Sequence, residues 1–202
     1  MKLILFTLTL FFIPKISSAI VELDLSVNYS KQVYGDNREN LQETKSYAVS
    51  WAWYFTGYSA LEFSFSDGLM ENSIVQEATI SGTNLKVTGT LSEVVNKNYT
   101  VGLKQALAPQ SWPIRPMISI GYAKQTITSV STYLIDDNGT SLRVVLPEEE
   151  LSNDSVFASA SLQIRMGSRL ALRATTQTIF PAFEWNQAKD SIKHMVGLTW
   201  IF

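Results

Sequence analysis

The chain ends in HMVGLTWIF, residues 194–202. Counting back from Phe202, alternate residues are Trp200, Leu198, Val196 and His194, with Ile201, Thr199, Gly197 and Met195 between them. In extended backbone, alternate side chains point to opposite faces. One face of a terminal strand is therefore almost wholly apolar and finishes on two rings, while the other is mixed and small. A strand over a dry core and a strand against lipid both show this pattern, so the rest of the chain must decide between them.

The period of two recurs seven times upstream. VELDLSVNY sets Val21, Leu23, Leu25, Val27 and Tyr29 against Glu22, Asp24, Ser26 and Asn28. KSYAVSWAWYF and SALEFSFS alternate Tyr47, Val49, Trp51, Trp53 and Phe55, then Leu61, Phe63 and Phe65, with small or polar residues, and Tyr54. NYTVGLKQAL, PIRPMISIGYAK, VFASASLQIRM and RLALRATTQ continue the pattern, opposing Lys104, Arg115, Arg165, Arg169 and Arg173 to aliphatic neighbours. No stretch carries a helical stripe, and the interruptions are rich in turn residues. Eight alternating segments result.

At the other end, Lys2 is followed by an apolar run from Leu3 to Ile13, then Pro14 and the small residues Ser17 and Ala19. This predicts a secretory signal peptide over residues 1–19, cleaved after Ala19. Its apolar run is too short to span a bilayer as a helix. Residues 20–202 are expected to form one domain. Without Lys2 and Lys15 the 16 bases fall to 14 against 18 acids, a formal charge of about −4, which is no nucleic-acid footprint. There is no cysteine, so a disulfide framework and thiolate metal sites are excluded.

Two all-β architectures fit: a soluble sandwich or barrel with its apolar face inward, and a transmembrane barrel with that face outward. Connection lengths separate them. The gaps at YGDNRENLQ, Asp67–Asn98, Gln125–Ser155 and FPAFEWNQAK are long. Those at Gly57, residues 108–113 and Gly167-Ser168 are short. Long loops outside and short turns inside are the asymmetry of bacterial transmembrane barrels. Trp53, Phe55, Tyr58, Trp112, Trp200 and Phe202 fall near the expected inner rim, and Tyr29, Tyr47, Phe65, Tyr99 and Tyr122 toward the outer one. Rings at two levels suit the two membrane interfaces.

With its terminal Val196, Leu198, Trp200 and Phe202, the last strand resembles the carboxy-terminal assembly signal of Gram-negative outer-membrane barrels. Together with the leader and the eight segments, the mature chain resembles the small OmpA/OmpX/OmpW-type superfamily over nearly all of residues 20–202. The resemblance implies a closed antiparallel up-and-down barrel in the Gram-negative outer membrane, with short periplasmic turns and long extracellular loops. It implies outer-membrane lipid and lipopolysaccharide as surroundings, and the barrel-assembly machinery as a partner during insertion. The expected state is a monomer of eight strands; ten to twelve is the alternative, with the hairpins of loops two and three inserted in the wall. Both hairpins are read as strands running beyond the membrane, around turns at Ser81–Asn84 and Asp136–Gly139.

Eight strands leave an interior that side chains fill. Glu22, Asp24, Glu62, Lys104, Arg115, Arg165, Arg169 and Arg173 are expected to form an ionic network in its inner half, because unpaired buried charges lose several kcal/mol of hydration. Five bases to three acids would favour anions if a path existed. The acidic run Glu148-Glu149-Glu150 with Asp154 could hold divalent cations against lipopolysaccharide phosphates, although a solvated loop is the simpler account. GDNREN in loop one has the same two readings. The single histidine, His194, falls on the lipid-facing register, and Ser191 falls on the other face, so no nucleophile–base set is expected. No enzyme activity, cofactor or metal is expected. The reading is an outer-membrane barrel with a plugged lumen and a structural or surface-interaction role. A small diffusion channel is the alternative, and a soluble secreted β-protein a third.

Overall fold

Alternating segments of this kind are stable only when every edge finds a partner. A computed structural model of the chain shows how that is achieved, describing residues 20–34, 39–79, 85–137, 140–181 and 191–202, with backbone alone for Gln76 and Glu77. The expected leader, residues 35–38 and 182–190, and the turn residues at 81–84 and 138–139 lie outside the described residues.

The strands are β1 (Ile20–Tyr34), β2 (Asn40–Tyr54), β3 (Ser59–Thr79), β4 (Leu85–Ala106), β5 (Ile114–Asp137), β6 (Thr140–Val145), β7 (Glu149–Arg165), β8 (Leu170–Pro181) and β9 (Lys193–Ile201). Each pairs antiparallel with its neighbours. The ring closes where β1 meets β9, Glu22 opposite Ile201 and Val27 opposite Val196.

Among the described residues, nine segments make a wall of eight strands. β6 and β7 share one edge of β5: β6 faces Thr132–Asp137 and β7 faces Ile114–Ser129. Between them Leu146, Pro147 and Glu148 lie opposite only Val130 and Ser131, a bulge. Pro147 has no N–H to give the ladder, while Leu146 still donates to the Ser131 carbonyl at 2.8 Å. The long hairpins of β3–β4 and β5–β6 rise out of the wall rather than being folded into it, which rules out the ten- to twelve-strand alternative.

The faces are inverted relative to a soluble barrel. Trp51, Leu103 and Leu198 are 48%, 58% and 49% exposed, whereas Glu22 and Arg173 are 1% and 3% exposed. Along β4 the apolar belt runs from Leu107 to Tyr99. The eight residue-to-residue steps cover roughly 27 Å of strand, or about 20 Å of height at barrel tilt, close to the ~25 Å apolar band of such barrels. The short turns, Ile20 and Phe202 sit at one rim, the inner one here, and the hairpins at the other.

Candidate functional site

The lumen is where buried polar chemistry concentrates. Inward positions on β1, β3, β4, β5 and β8 bring Glu22, Asp24, Glu62, Lys104, Arg115 and Arg173 together, all buried. Glu22 is the hub. Its Oε1 accepts from Arg115 Nη1 at 3.1 Å and its Oε2 from Arg173 Nη2 at 2.6 Å. The Tyr54 hydroxyl donates to the same Oε2 at 3.1 Å. Arg173 also reaches Asp24 at 3.5 Å, whose Oδ2 accepts from the Thr199 hydroxyl at 2.7 Å. Lys104 pairs with Glu62. Arg115 spends its remaining N–H groups on the carbonyls of Ala108 (3.2 Å) and Gly57 (3.0 Å) and lies over the Tyr54 ring at 4.8 Å. One guanidinium thus ties two inner turns to the axis of the barrel.

Two of the eight residues expected in this network lie elsewhere. Arg169 is exposed in the inner turn between β7 and β8. Arg165 sits at the inner mouth, donating to the carbonyls of Gly167, Gln110 and Ser168 at 2.8–3.1 Å. Both occupy the end of the ribbon, where backbone carbonyls and water are nearer than the axis. The network therefore holds three acids and three bases, and the excess of positive charge that would favour anions is gone.

Above the ion pairs, Phe157 on β7 is buried and forms an apolar layer with Ala123 and Ile179. Its ring lies over Gly121 and Gly102, which face each other across β4 and β5. A Cβ on Gly102 would come within 2.7 Å of that ring, and one on Gly121 within 2.2 Å of the Val101 carbonyl oxygen. Glycine is required at both positions for the ring to lie flat. Between the Phe157 layer and the ion pairs is a cavity of about 40 Å³, lined largely by serines and the charged set. That is the room of about one water.

Tyr54 and Phe157 alternate with the apolar face of their strands and so point inward, where both are buried. An aromatic at an inward position between serines and alanines was the signal. The inner-rim rings Trp53, Phe55, Tyr58, Trp112, Trp200 and Phe202 are all exposed, as are Val196 and Leu198. His194 is exposed on the outer wall with its Nδ1 3.0 Å from the Thr176 hydroxyl, while Ser191 contacts Thr178 at 3.2 Å. Glu148, Glu149 and Glu150 are exposed beside the Pro147 bulge.

No protein-family model matches the chain, and a search of characterised proteins returned no match. Solved structures do match in shape. The N-terminal β-barrel domain of Pseudomonas aeruginosa OprF aligns with a TM-score of 0.53 and 12% identity, over 92% of this chain and 98% of that one. The chain shares the fold of that eight-stranded β-barrel domain. Looser likenesses include Ail of Yersinia pestis (TM-score 0.46, 12% identity, 91% and 97% of the two chains) and Acinetobacter baumannii CarO (0.38, 6%, 90% and 95%).

Proposed function

We propose that this protein is a monomeric barrel of the Gram-negative outer membrane, exported through a leader cleaved after Ala19, with a structural or surface-interaction role. The reading rests on the closure of the lumen. Six charges pair with one another across the inner half, and Phe157 with Ala123 and Ile179 forms an apolar layer above them. A solute would have to break ion pairs whose charges then stand unpaired in a low-dielectric interior, at several kcal/mol each. The exposed face of the last strand, Val196, Leu198, Trp200 and Phe202, is open to the assembly machinery during insertion.

Planar-bilayer recording on purified protein tests this. The wild type is expected to stay closed, and Phe157→Ala to admit brief openings. Sustained stepwise conductance from the wild type would transfer the role to a small diffusion channel, the reading that the serine-lined cavity of about 40 Å³ favours.

A further inference from the structure

The hairpins above the wall carry a groove. On the outward face of β2 to β6, a cavity of about 470 Å³ is lined by residues of all five strands. Register explains what lines it. Glu43 lies opposite Glu71, Glu71 opposite Glu93, and Glu93 opposite Val130, so three carboxylates stand side by side across β2, β3 and β4. One row further out, Leu41, Ser73, Leu91, Thr132 and Val145 follow one another across the same face. A charged row thus runs along the membrane side of a largely apolar one.

Like charges directly opposite in a sheet repel, with Cβ atoms about 5 Å apart. Of these three, Glu43 is compensated. Lys45 holds it at 2.7 Å, and that bond keeps the Glu43 carboxyl below its usual range. Glu71 and Glu93 have no ion pair among the described residues. The neighbours of Glu93 across the strands are Glu71, Leu69, Ser73, Val130, Thr128 and Thr132, none of them basic. Three acids to one base line the groove, with Arg143 at its far end on β6.

Thr132 is a second, independent sign that the groove receives something. It is 5% exposed and lines the groove, yet its hydroxyl bonds to no described group. A hydroxyl so enclosed normally has a partner. Height then narrows the choice of partner. Glu71 and Glu93 are each six residues beyond Phe65 and Tyr99 of the outer aromatic level, roughly 20 Å of strand and about 15 Å of height at barrel tilt. A headgroup layer is only about 5–8 Å deep, so the groove opens above it.

We propose that this groove docks a basic, aliphatic segment of a partner protein. A lysine or arginine of that segment reaches Glu71 and Glu93, and its leucine- or valine-like neighbours lie against Leu41, Leu91 and Val145. The proposal rests on the surface-interaction reading and names the chemistry of the partner. Charge complementarity selects a cationic occupant. The apolar row selects a peptide over a metal ion or a polyamine, neither of which has aliphatic branches to bury.

The test uses the mature protein in lipid nanodiscs, with fluorescence anisotropy of a labelled peptide at physiological salt. The probe peptide alternates lysine with leucine. One control peptide replaces its lysines by glutamine, another its leucines by glycine. The wild type should bind the probe roughly tenfold more tightly than either control. Glu71→Gln with Glu93→Gln should lose the preference for lysine, and Glu93→Gln alone part of it. Both variants should keep the heat-dependent gel shift of the folded barrel, because removing facing like charges does not weaken a hairpin. Leu91→Ser should lose the preference for leucine. Glu149→Gln with Glu150→Gln, the same charge change beside the Pro147 bulge, should bind as the wild type does. Equal binding of the probe and either control peptide, equal loss in the Glu149 and Glu150 control, or full displacement by millimolar spermine or magnesium would each overturn the proposal. So would self-association in sedimentation that the Glu71 and Glu93 change abolishes, since the groove would then belong to a second copy. Stepwise conductance of the wild type would instead sink the surface-interaction reading and leave these binding results as they stand.

Discussion

At the scale of single residues, Glu22 and Gly121 carry the most. Glu22 accepts from two arginines and a tyrosine at a site 1% exposed. Glu22→Gln keeps the shape and removes the charge, leaving Arg115 short of a counter-ion. The expected loss is about 3 kcal/mol or more, read by urea unfolding in lipid vesicles, and a loss under about 1 kcal/mol would show the network to be ornamental to stability. Arg169→Gln, in the exposed inner turn, should change stability by no more than about 0.5 kcal/mol. Gly121→Ala drives a methyl group into the Val101 carbonyl and the Phe157 ring. Overpacking of this kind costs about 1–3 kcal/mol, and the same unfolding assay should show the smaller Gly57→Ala, where nothing lies within 4 Å of the added carbon, to be nearly silent.

At the scale of elements, the wall and the hairpins are separable. β5 pairs with β7 up to Ser129 opposite Glu149 and with β6 only beyond the Pro147 bulge. Replacing residues 130–148 by Asn-Gly would join two directly opposed residues through a two-residue turn, the loop length that antiparallel neighbours favour. The trimmed protein should still fold, with an unchanged gel-mobility shift on heating. Loss of folding would mean that the protruding hairpin nucleates the barrel. Bulges also interrupt the β3–β4–β5 ladders near Val75 and Gly89, well above the tyrosine level, so the irregularities are confined to the part outside the apolar belt.

At the scale of the whole molecule, the inversion of faces governs everything else. Closure through β1 and β9 gives each strand of the wall a paired neighbour on both sides within the belt, as hydrocarbon surroundings require. The exposed apolar side chains then have no soluble explanation, being a continuous belt rather than scattered patches. Single-tryptophan proteins, the other tryptophans replaced by phenylalanine, should report the depth directly. Trp51, mid-belt, should be quenched most by lipids brominated deep in the chain, and Trp112, near the inner turns, by lipids brominated near the headgroup. Quenching of Trp51 by aqueous acrylamide instead would remove the membrane reading.

Strand number, face assignment and the outward hairpins were legible in the sequence, because alternation with a period of two survives any local context and turn residues mark where it stops. The partners inside were not. Arg165 and Arg169 share a face with Arg173 in sequence, but only the closed ring decides that Arg173 reaches Glu22 and Asp24 while the other two meet the turn carbonyls and solvent. Likewise Phe157 becomes a plug only because two glycines, 36 and 55 positions before it in the chain, are brought beneath its ring by the register of β4, β5 and β7. Alternation is a property of one strand, whereas register and closure are properties of all eight; the first is written residue by residue, and the second exists only after the wall has formed.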